Sequence, residues 1–179
     1  MTTRTIFSGF GGQGVLSMGF TLANAGMLEG KYVTYLPSYG IEVRGGTANC
    51  TVVVSDEEIA SPVASEPEFV VAMNQPSFNR FQNILQSGGL LCVNASLVDI
   101  ASARSDIEIL AIPTSELAEK LGTIKVANMI ILGALIKASN IISFDAMIKN
   151  LAELLGEGRS KLIKLNKEAL EMGFNYVKE

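Results

Sequence analysis

The sequence lacks histidine altogether and has only two cysteines, Cys50 and Cys92, in 179 residues. Without histidine the chain cannot form Ser-His or Cys-His nucleophile pairs, and it lacks the usual imidazole metal ligand. Two cysteines alone cannot hold a four-thiolate zinc ion or an iron–sulfur cluster. We therefore assign no catalytic residue and no metal ligand to this chain.

Charged residues are scarce as well, at 18% of the chain, compared with about 25% in typical soluble domains. The net charge of -4 argues against nucleic-acid binding driven by charge. The longest charge-free run, residues 5–28, contains several glycines, which favour a turn over a membrane-spanning helix. No secretory signal pattern is present, so we expect a cytoplasmic protein. The low charge predicts an apolar face that a partner covers, with an unusually apolar monomer as the alternative.

The order of elements in the N-terminal part is typical of a βαβ unit, which implies parallel pairing of its strands. A strand at Thr3–Ser8 precedes a helix at Val15–Leu28, and a second strand at Tyr32–Leu36 is closed by Pro37. A hairpin between Cys50–Val54 and Glu58–Ala60 would make the sheet mixed. Further strands are predicted at Phe69–Met73, Leu90–Asn94 and Ile107–Ile112, with helices around Phe78–Leu85, Ala127–Ala138, Phe144–Leu155 and Leu162–Met172. We interpret residues 1–179 as one α/β domain.

The segment Gly9-Phe10-Gly11-Gly12-Gln13-Gly14 fits the pattern G-x-G-x-x-G between a strand and a helix. Such glycines let backbone N–H groups approach an anion at a helix N-terminus. Gly9, Gly11, Gly12, Gln13 and Gly14 are therefore candidate residues for binding a phosphate group. An ordinary dinucleotide site also needs an acid about 20 residues later, where this chain has Thr34. Two alternatives stay open: a phosphate site without the ribose acid, or a tight turn that binds nothing.

Three motifs together resemble the gamma subunit of 2-oxoacid:ferredoxin oxidoreductases, the pyruvate/ketoisovalerate gamma-domain family. They are Gly9–Gly14 (GFGGQG), the loop Ser38–Asn49 with its RGGTAN segment, and Met73-Asn74-Gln75-Pro76. The resemblance is clear from Ile6 to Ser96, and the RGGTAN form looks most like the 2-oxoglutarate type. It implies a single Rossmann-like, three-layer α/β domain with a mixed, mostly parallel sheet.

The resemblance also implies a role as an auxiliary subunit. Complexes of this family, which belong to anaerobic metabolism, oxidatively decarboxylate a 2-oxoacid on thiamine diphosphate and Mg²⁺ and release an acyl-CoA. Electrons pass through iron–sulfur clusters to ferredoxin. This chain has no Gly-Asp-Gly…Asn-Asn motif for thiamine diphosphate, so the cofactors belong on alpha, beta and ferredoxin-like delta subunits. Alone, the chain is expected to bind no cofactor, to be inactive, and to self-associate through its uncovered face.

The resemblance suggests residues that line an interface or the active site, beside a glycine loop facing coenzyme A. These are Tyr39, Glu42, Arg44, Gly45, Gly46, Asn74 and Gln75. The plainer interpretation is a solvated loop for Glu42 and Arg44, and ordinary turn chemistry for Asn74 and Gln75. Asn128 either reaches the same crevice or is a helix cap or core amide. The alternative functions are an indolepyruvate-type beta subunit, a free-standing dinucleotide-binding oxidoreductase, and an interaction scaffold.

Overall fold

The computed structural model describes residues 1–39 and 46–178, which form one mixed sheet with helices on both faces. The strands are β1 (Thr2–Phe10), β2 (Tyr32–Tyr39), β3 (Thr47–Ser55), β4 (Phe69–Ala72), β5 (Leu90–Asn94) and β6 (Glu108–Ile112). The helices are α1 (Val15–Leu28), α2 (Gln75–Phe81), α3 (Thr114–Lys120), α4 (Ala127–Ser139), α5 (Phe144–Leu155) and α6 (Ser160–Tyr176). The predicted fold class, an α/β domain with a mixed, mostly parallel sheet, is confirmed.

The strand order is β2-β3-β1-β4-β5-β6, and only β3 runs against the direction of the other five. The predicted direct pairing of β1 with β2 was wrong, because β3 lies between them and pairs antiparallel to both. The predicted hairpin to Glu58–Ala60 was also wrong, since these residues form no strand. The sheet is mixed because β3 pairs antiparallel with both β2 and β1, while the pairs β1-β4, β4-β5 and β5-β6 are parallel.

The sheet separates two hydrophobic cores, which gives the three layers. Adjacent residues of β1 point to opposite sides: Phe7 joins the core under α1 and α4, and Ile6 joins the smaller core under α2. The smaller core also contains Phe78 and Phe81 of α2. This alternation is the period of two expected for a strand that is buried on both faces.

Pro37 lies within β2 and does not end it, contrary to the sequence prediction. β2 continues to Tyr39, and Pro37 pairs with Cys50 of β3. Proline is tolerated there because β2 is an edge strand. This edge is unusually apolar. Five exposed, large apolar side chains near this edge form what we call the β2-edge surface. Tyr32 and Leu36 of β2 lie on the face opposite α1, and Phe20, Met27 and Leu28 belong to α1.

Helix α4 is buried along most of its length, as its nearly continuous apolar sequence predicts. It crosses α6 where two glycines meet the opposite backbone. A Cβ atom on Gly133 would overlap the carbonyl oxygen of Leu170, and one on Gly173 would overlap that of Ile130. The two helices therefore approach each other more closely than any residue with a side chain would permit.

We expect Gly173→Ala to lower the free energy of unfolding by about 1–3 kcal/mol, because the added methyl group overpacks the crossing of α4 and α6. This sign is opposite to the helix propensity of alanine, which favours Ala over Gly. Gly158→Ala is the matched control, since a Cβ atom there meets no atom within 4 Å. Denaturant unfolding followed by circular dichroism measures both variants. Equal effects would contradict the close crossing.

Candidate functional site

The glycine loop lies where the sequence analysis placed it, between β1 and the start of α1. Gly9 is still part of β1, where it pairs with Ala48 of β3. A Cβ atom on Gly9 would come within 2.8 Å of Gln13 Oε1 and of Val15 Cγ1. The first glycine is therefore needed for packing of the strand against the turn and the helix.

Gly12 and Gly14 adopt backbone conformations that side chains disfavour, with φ of 100° and 73°. Gly14 is the N-cap residue of α1, and among the described residues no side chain caps this helix. Its first turn, Val15 to Met18, contains no acidic residue. The N–H groups at the positive end of the helix dipole are thus left for another acceptor, as in anion-binding loops.

Gln13 ties this loop to the neighbouring strand. Its Oε1 atom accepts hydrogen bonds from the Phe10 backbone N–H at 2.7 Å and from Asn74 Nδ2 at 3.0 Å. Its Nε2 atom donates to the backbone oxygen of Met73, directly after β4, at 3.0 Å. The side chain therefore joins the ends of two adjacent parallel strands.

Asn74 and Gln75 diverge, although they are adjacent in sequence. Asn74 is buried, contacts Gln13, and caps α2 by accepting the Ser77 N–H at 2.9 Å. Gln75 exchanges hydrogen bonds with the backbone of Asp99, in the segment after β5. Asn74 thus belongs to the glycine-loop network, and Gln75 anchors a different segment.

Asn128 at the start of α4 does reach the glycine loop. Its Nδ2 atom donates to the Gly14 oxygen at 3.4 Å, and its Oδ1 atom accepts from the N–H of Met129. A Cβ atom on Gly14 would overlap Asn128 Nδ2. The loop is therefore held from one side by Gln13 and from the other by Asn128.

Glu42, Arg44 and Gly45 lie outside the described residues. Gly46, at the end of the same loop, accepts a hydrogen bond from the Gly11 N–H at 2.9 Å. The backbone of Tyr39 ends β2 opposite Ala48. The described end of the second motif thus contacts the glycine loop, which brings two motifs together that are far apart in sequence.

A cleft of about 120 Å³ lies beside the glycine loop, at the carboxyl ends of the parallel strands. Open α/β sheets bind ligands at this edge. Sequence analysis did not select three of its polar residues: Asn94 at the end of β5, Ser115 in α3, and Lys125 between α3 and α4. Asn94 Nδ2 donates to Ser115 Oγ at 2.9 Å. The lining consists of Gly12, Gln13, Met73, Asn94, Leu97, Ser115, Ile124, Lys125 and Ala127.

Only one signal could have identified part of this set. Asn94 ends a predicted strand, and polar residues at the carboxyl ends of parallel strands often line ligand sites. Ser115 and Lys125 follow no such rule. Lys125 is exposed in a short turn, and it brings a positive charge to a cleft that is also lined by Gly12 and Gln13 of the glycine loop. The arrangement can hold an anion of about the size of a phosphate group.

The two cysteines are buried in separate strands. Burial raises the pKa of each thiol from 9.0 to about 12. Within residues 1–39 and 46–178, no group of three Asp, Glu or Cys side chains could hold a metal ion. Two thiols buried in separate strands do not fit an iron–sulfur cluster. The described helices include none that is both long and apolar enough to cross a bilayer.

The topology disfavours a dinucleotide site of the ordinary kind. In such sites the second strand lies beside the first, and an acid at its end reaches the ribose. Here β3 separates β1 from β2, so the end of β2 is displaced to two strand spacings, about 10 Å from β1. The sequence of β2, YVTYLPSY, contains no acid. The glycine loop thus keeps the features for a phosphate group without those for the ribose.

Comparison with known proteins gives consistent matches. The sequence matches the model of the family described as pyruvate ferredoxin/flavodoxin oxidoreductase over residues 4–176. It is 35% identical to ketoisovalerate oxidoreductase subunit VorA of Methanothermobacter thermautotrophicus over 98% of this chain and 36% of that protein. It is 33% identical to 2-oxoglutarate synthase subunit KorC of Methanocaldococcus jannaschii over 96% of this chain and 92% of KorC. Indolepyruvate oxidoreductase subunit IorB of Archaeoglobus fulgidus is 24% identical over 98% of the chain.

Two solved structures share the fold. The gamma subunit of a keto/oxoacid ferredoxin oxidoreductase from Geobacter sulfurreducens superposes with a TM-score of 0.84 at 27% identity, covering 98% of this chain and 95% of that one. The 2-oxoglutarate:ferredoxin oxidoreductase of Magnetococcus marinus, solved with 2-oxoglutarate, coenzyme A and succinyl-CoA, superposes with a TM-score of 0.89 at 22% identity. That superposition includes 99% of this chain but 32% of the Magnetococcus marinus chain. This chain likewise spans about a third of the VorA proteins.

We expect Gly14→Ala to destabilise the chain more than Gly30→Ala. Both glycines have nearly the same φ, 73° and 75°, but only a Cβ atom on Gly14 meets Asn128. The conformational cost common to both is about 1 kcal/mol, and the overlap adds about 1–3 kcal/mol for Gly14→Ala. Unfolding free energies in the wild-type and Asn128→Ala backgrounds form a double-mutant cycle. The additional cost should disappear when Asn128 is truncated, and its persistence would contradict this contact.

Both thiols should resist maleimide labelling at pH 8 in the folded chain and react fully in denaturant, because only the thiolate is reactive. Their folded pKa of about 12 lies above the value of 9.0 outside the fold, so protonated thiols favour the folded state. This contribution to stability is complete below pH 9 and is lost as the pH rises towards 12. The double variant Cys50→Ala, Cys92→Ala should show a smaller loss of unfolding free energy between pH 8 and pH 11. Rapid labelling of the folded chain would contradict the burial.

Proposed function

The chain belongs to the pyruvate ferredoxin/flavodoxin oxidoreductase family, and we propose that it is the gamma subunit of a 2-oxoacid:ferredoxin oxidoreductase complex. The observation that carries this proposal is the match to KorC, which covers nearly the whole of both chains. The reaction is the oxidative decarboxylation of a 2-oxoacid to an acyl-CoA. The VorA relatives contain the same domain within a chain about three times as long. This arrangement supports permanent association of the domain with the other parts of the enzyme.

We propose 2-oxoglutarate as the substrate, because the RGGTAN segment resembles the 2-oxoglutarate type and because the match covers 92% of KorC but 36% of VorA. The indolepyruvate-type alternative is weaker, since IorB is 24% identical compared with 33% for KorC. In the proposed complex, alpha, beta and ferredoxin-like delta subunits carry thiamine diphosphate, Mg²⁺ and iron–sulfur clusters, and ferredoxin accepts the electrons. The complex works in the cytoplasm, and the isolated chain is inactive.

The β2-edge surface supports the need for partners. Tyr32 and Leu36 are 50% and 41% exposed on an edge strand whose own residues carry no charge. On the other face of this strand, Phe20 of α1 contacts Tyr35 and is 48% exposed. An uncharged apolar edge is usually covered or protected in natural proteins. We propose that subunits of the complex cover it, and that the isolated chain self-associates when they are absent.

We further propose that the cleft at the glycine loop receives a phosphate group of coenzyme A. Three features of the cleft support this role: the backbone of Gly12, the hydroxyl of Ser115 and the charge of Lys125. Pockets for whole ligands of this kind usually measure about 300–1,000 Å³, whereas this cleft measures about 120 Å³. It therefore fits one end of coenzyme A, and other subunits supply the remaining contacts.

Co-expression with the other subunits tests the subunit role. We expect a stable complex that reduces ferredoxin in the presence of 2-oxoglutarate and coenzyme A, while the isolated chain shows no turnover. Size-exclusion chromatography with mass spectrometry identifies the associated chains. Recovery of this chain as a soluble monomer in the presence of the other subunits would contradict the proposal. Micromolar binding of NAD, NADP or FAD to the isolated chain in calorimetry would favour the dinucleotide-binding alternative.

Two variants of Gly12 test the coenzyme A site in the assembled complex. Gly12→Asp and Gly12→Asn are nearly isosteric and place the same strain on the backbone, so their difference isolates one negative charge. We expect the aspartate variant to raise the KM for coenzyme A about tenfold above the asparagine variant, or about 1.4 kcal/mol. The KM for the 2-oxoacid should not change. Equal KM values for coenzyme A in the two variants would support a scaffold whose glycine loop binds nothing.

A further inference from the structure

The orientation of the Gln13 side-chain amide is determined by its neighbours. The Phe10 N–H can only donate and the Met73 carbonyl can only accept, so Oε1 must face Phe10 and Nε2 must face Met73. Asn74 Nδ2 supplies a second donor to Oε1. Rotating the amide by 180° would place Nε2 against two donors, the Phe10 N–H and Asn74 Nδ2, and would place Oε1 against the Met73 carbonyl oxygen. The position therefore requires a side chain that accepts at one atom and donates at the other.

We propose that Gln13 is a positioning residue, which fixes the glycine loop for phosphate binding without contacting the phosphate. Gln13 borders the cleft, but the hydrogen bonds of its amide go to Phe10, Asn74 and Met73. Its backbone N–H donates to the Phe10 oxygen at 3.1 Å, which closes the turn around Gly11 and Gly12. This inference rests on the proposed function, because it assumes that the cleft binds coenzyme A.

Asn74 also holds the Gln13 amide in this orientation. Its Oδ1 atom caps α2 at the Ser77 N–H, while its Nδ2 atom donates to Gln13. Asn74 does not line the cleft. A change at Asn74 that preserves the cap and removes the donor can therefore influence coenzyme A only through Gln13. This separates positioning from direct contact.

The test uses Gln13→Glu in the assembled complex, with the KM for coenzyme A measured from pH 5.5 to 8.5 and divided by the wild-type value at each pH. An ionised carboxylate accepts from Phe10 and Asn74, but it has no proton to donate to Met73. We expect the KM ratio to be about tenfold at pH 8.5. Repulsion between the carboxylate and the Met73 carbonyl oxygen raises the pKa of the introduced carboxyl above its ordinary value of about 4.3, so the ratio should decrease as the pH falls to 5.5 and protonation restores the donor. The kcat and the KM for the 2-oxoacid should remain unchanged.

Two further variants separate the possible causes. Gln13→Met has neither charge nor hydrogen bonds, and it should raise the KM for coenzyme A about tenfold at every pH. A wild-type value for this variant would assign the glutamate effect to charge repulsion alone and overturn the inference. Asn74→Ser keeps a capping oxygen for α2 and loses the donor to Gln13 without adding a charge, and it should also raise the KM. A wild-type value for Asn74→Ser would mean that Gln13 contacts the ligand directly.

Gln86→Glu is the matched control, because it makes the same change at the opposite end of the sheet, before β5. It should leave the KM for coenzyme A unchanged at every pH, and complex formation and thermal unfolding verify that each variant is folded. If the two Gly12 variants differ while the Gln13 and Asn74 variants behave as wild type, the inference fails and the coenzyme A site stands. If the two Gly12 variants have equal KM values for coenzyme A, the site and the inference fail together.

Discussion

The hydrogen bonds of the Gln13 amide join the end of β1 to the end of β4, and the geometry of the candidate site depends on this connection. Parallel strands are held along their length by the sheet, but the loops that leave them have no such support. Gln13 provides it where α1 and α2 depart to opposite faces of the sheet. Asn128 restrains the same loop from α4. The turn that leads into α1 is therefore held in place, although no described side chain caps the helix.

The insertion of β3 gives this glycine loop different neighbouring strands from those of the dinucleotide-binding loops that share its sequence pattern. By separating β2 from β1, it removes the position from which an acid could reach a ribose. It also brings Gly46 against Gly11, so that the Ser38–Asn49 motif ends beside the glycine loop. Two motifs that are far apart in sequence therefore meet at one edge of the sheet.

The chain has no histidine, and its two cysteines are buried, which is consistent with the accessory role proposed above. Its thiols are buried and protonated, and its described acidic residues do not converge. Its most distinctive surfaces are a small cleft, which Lys125 lines, and an apolar sheet edge. The edge exposes side chains that water solvates poorly. The proposed function accounts for both features, because it places neighbouring subunits next to them.

The sequence by itself determined the local elements, the glycine loop and the family, because each depends on residues that are close along the chain. Val15–Leu28 and Leu90–Asn94 have the predicted bounds, since helical spacing and short apolar runs are local signals. Only the tertiary structure decided that β3 inserts between β1 and β2, because a strand carries no local record of its hydrogen-bonding partners. The convergence of Asn94, Ser115 and Lys125 has the same origin. These residues are distant in sequence, and they meet because parallel strands bring their carboxyl ends to one edge.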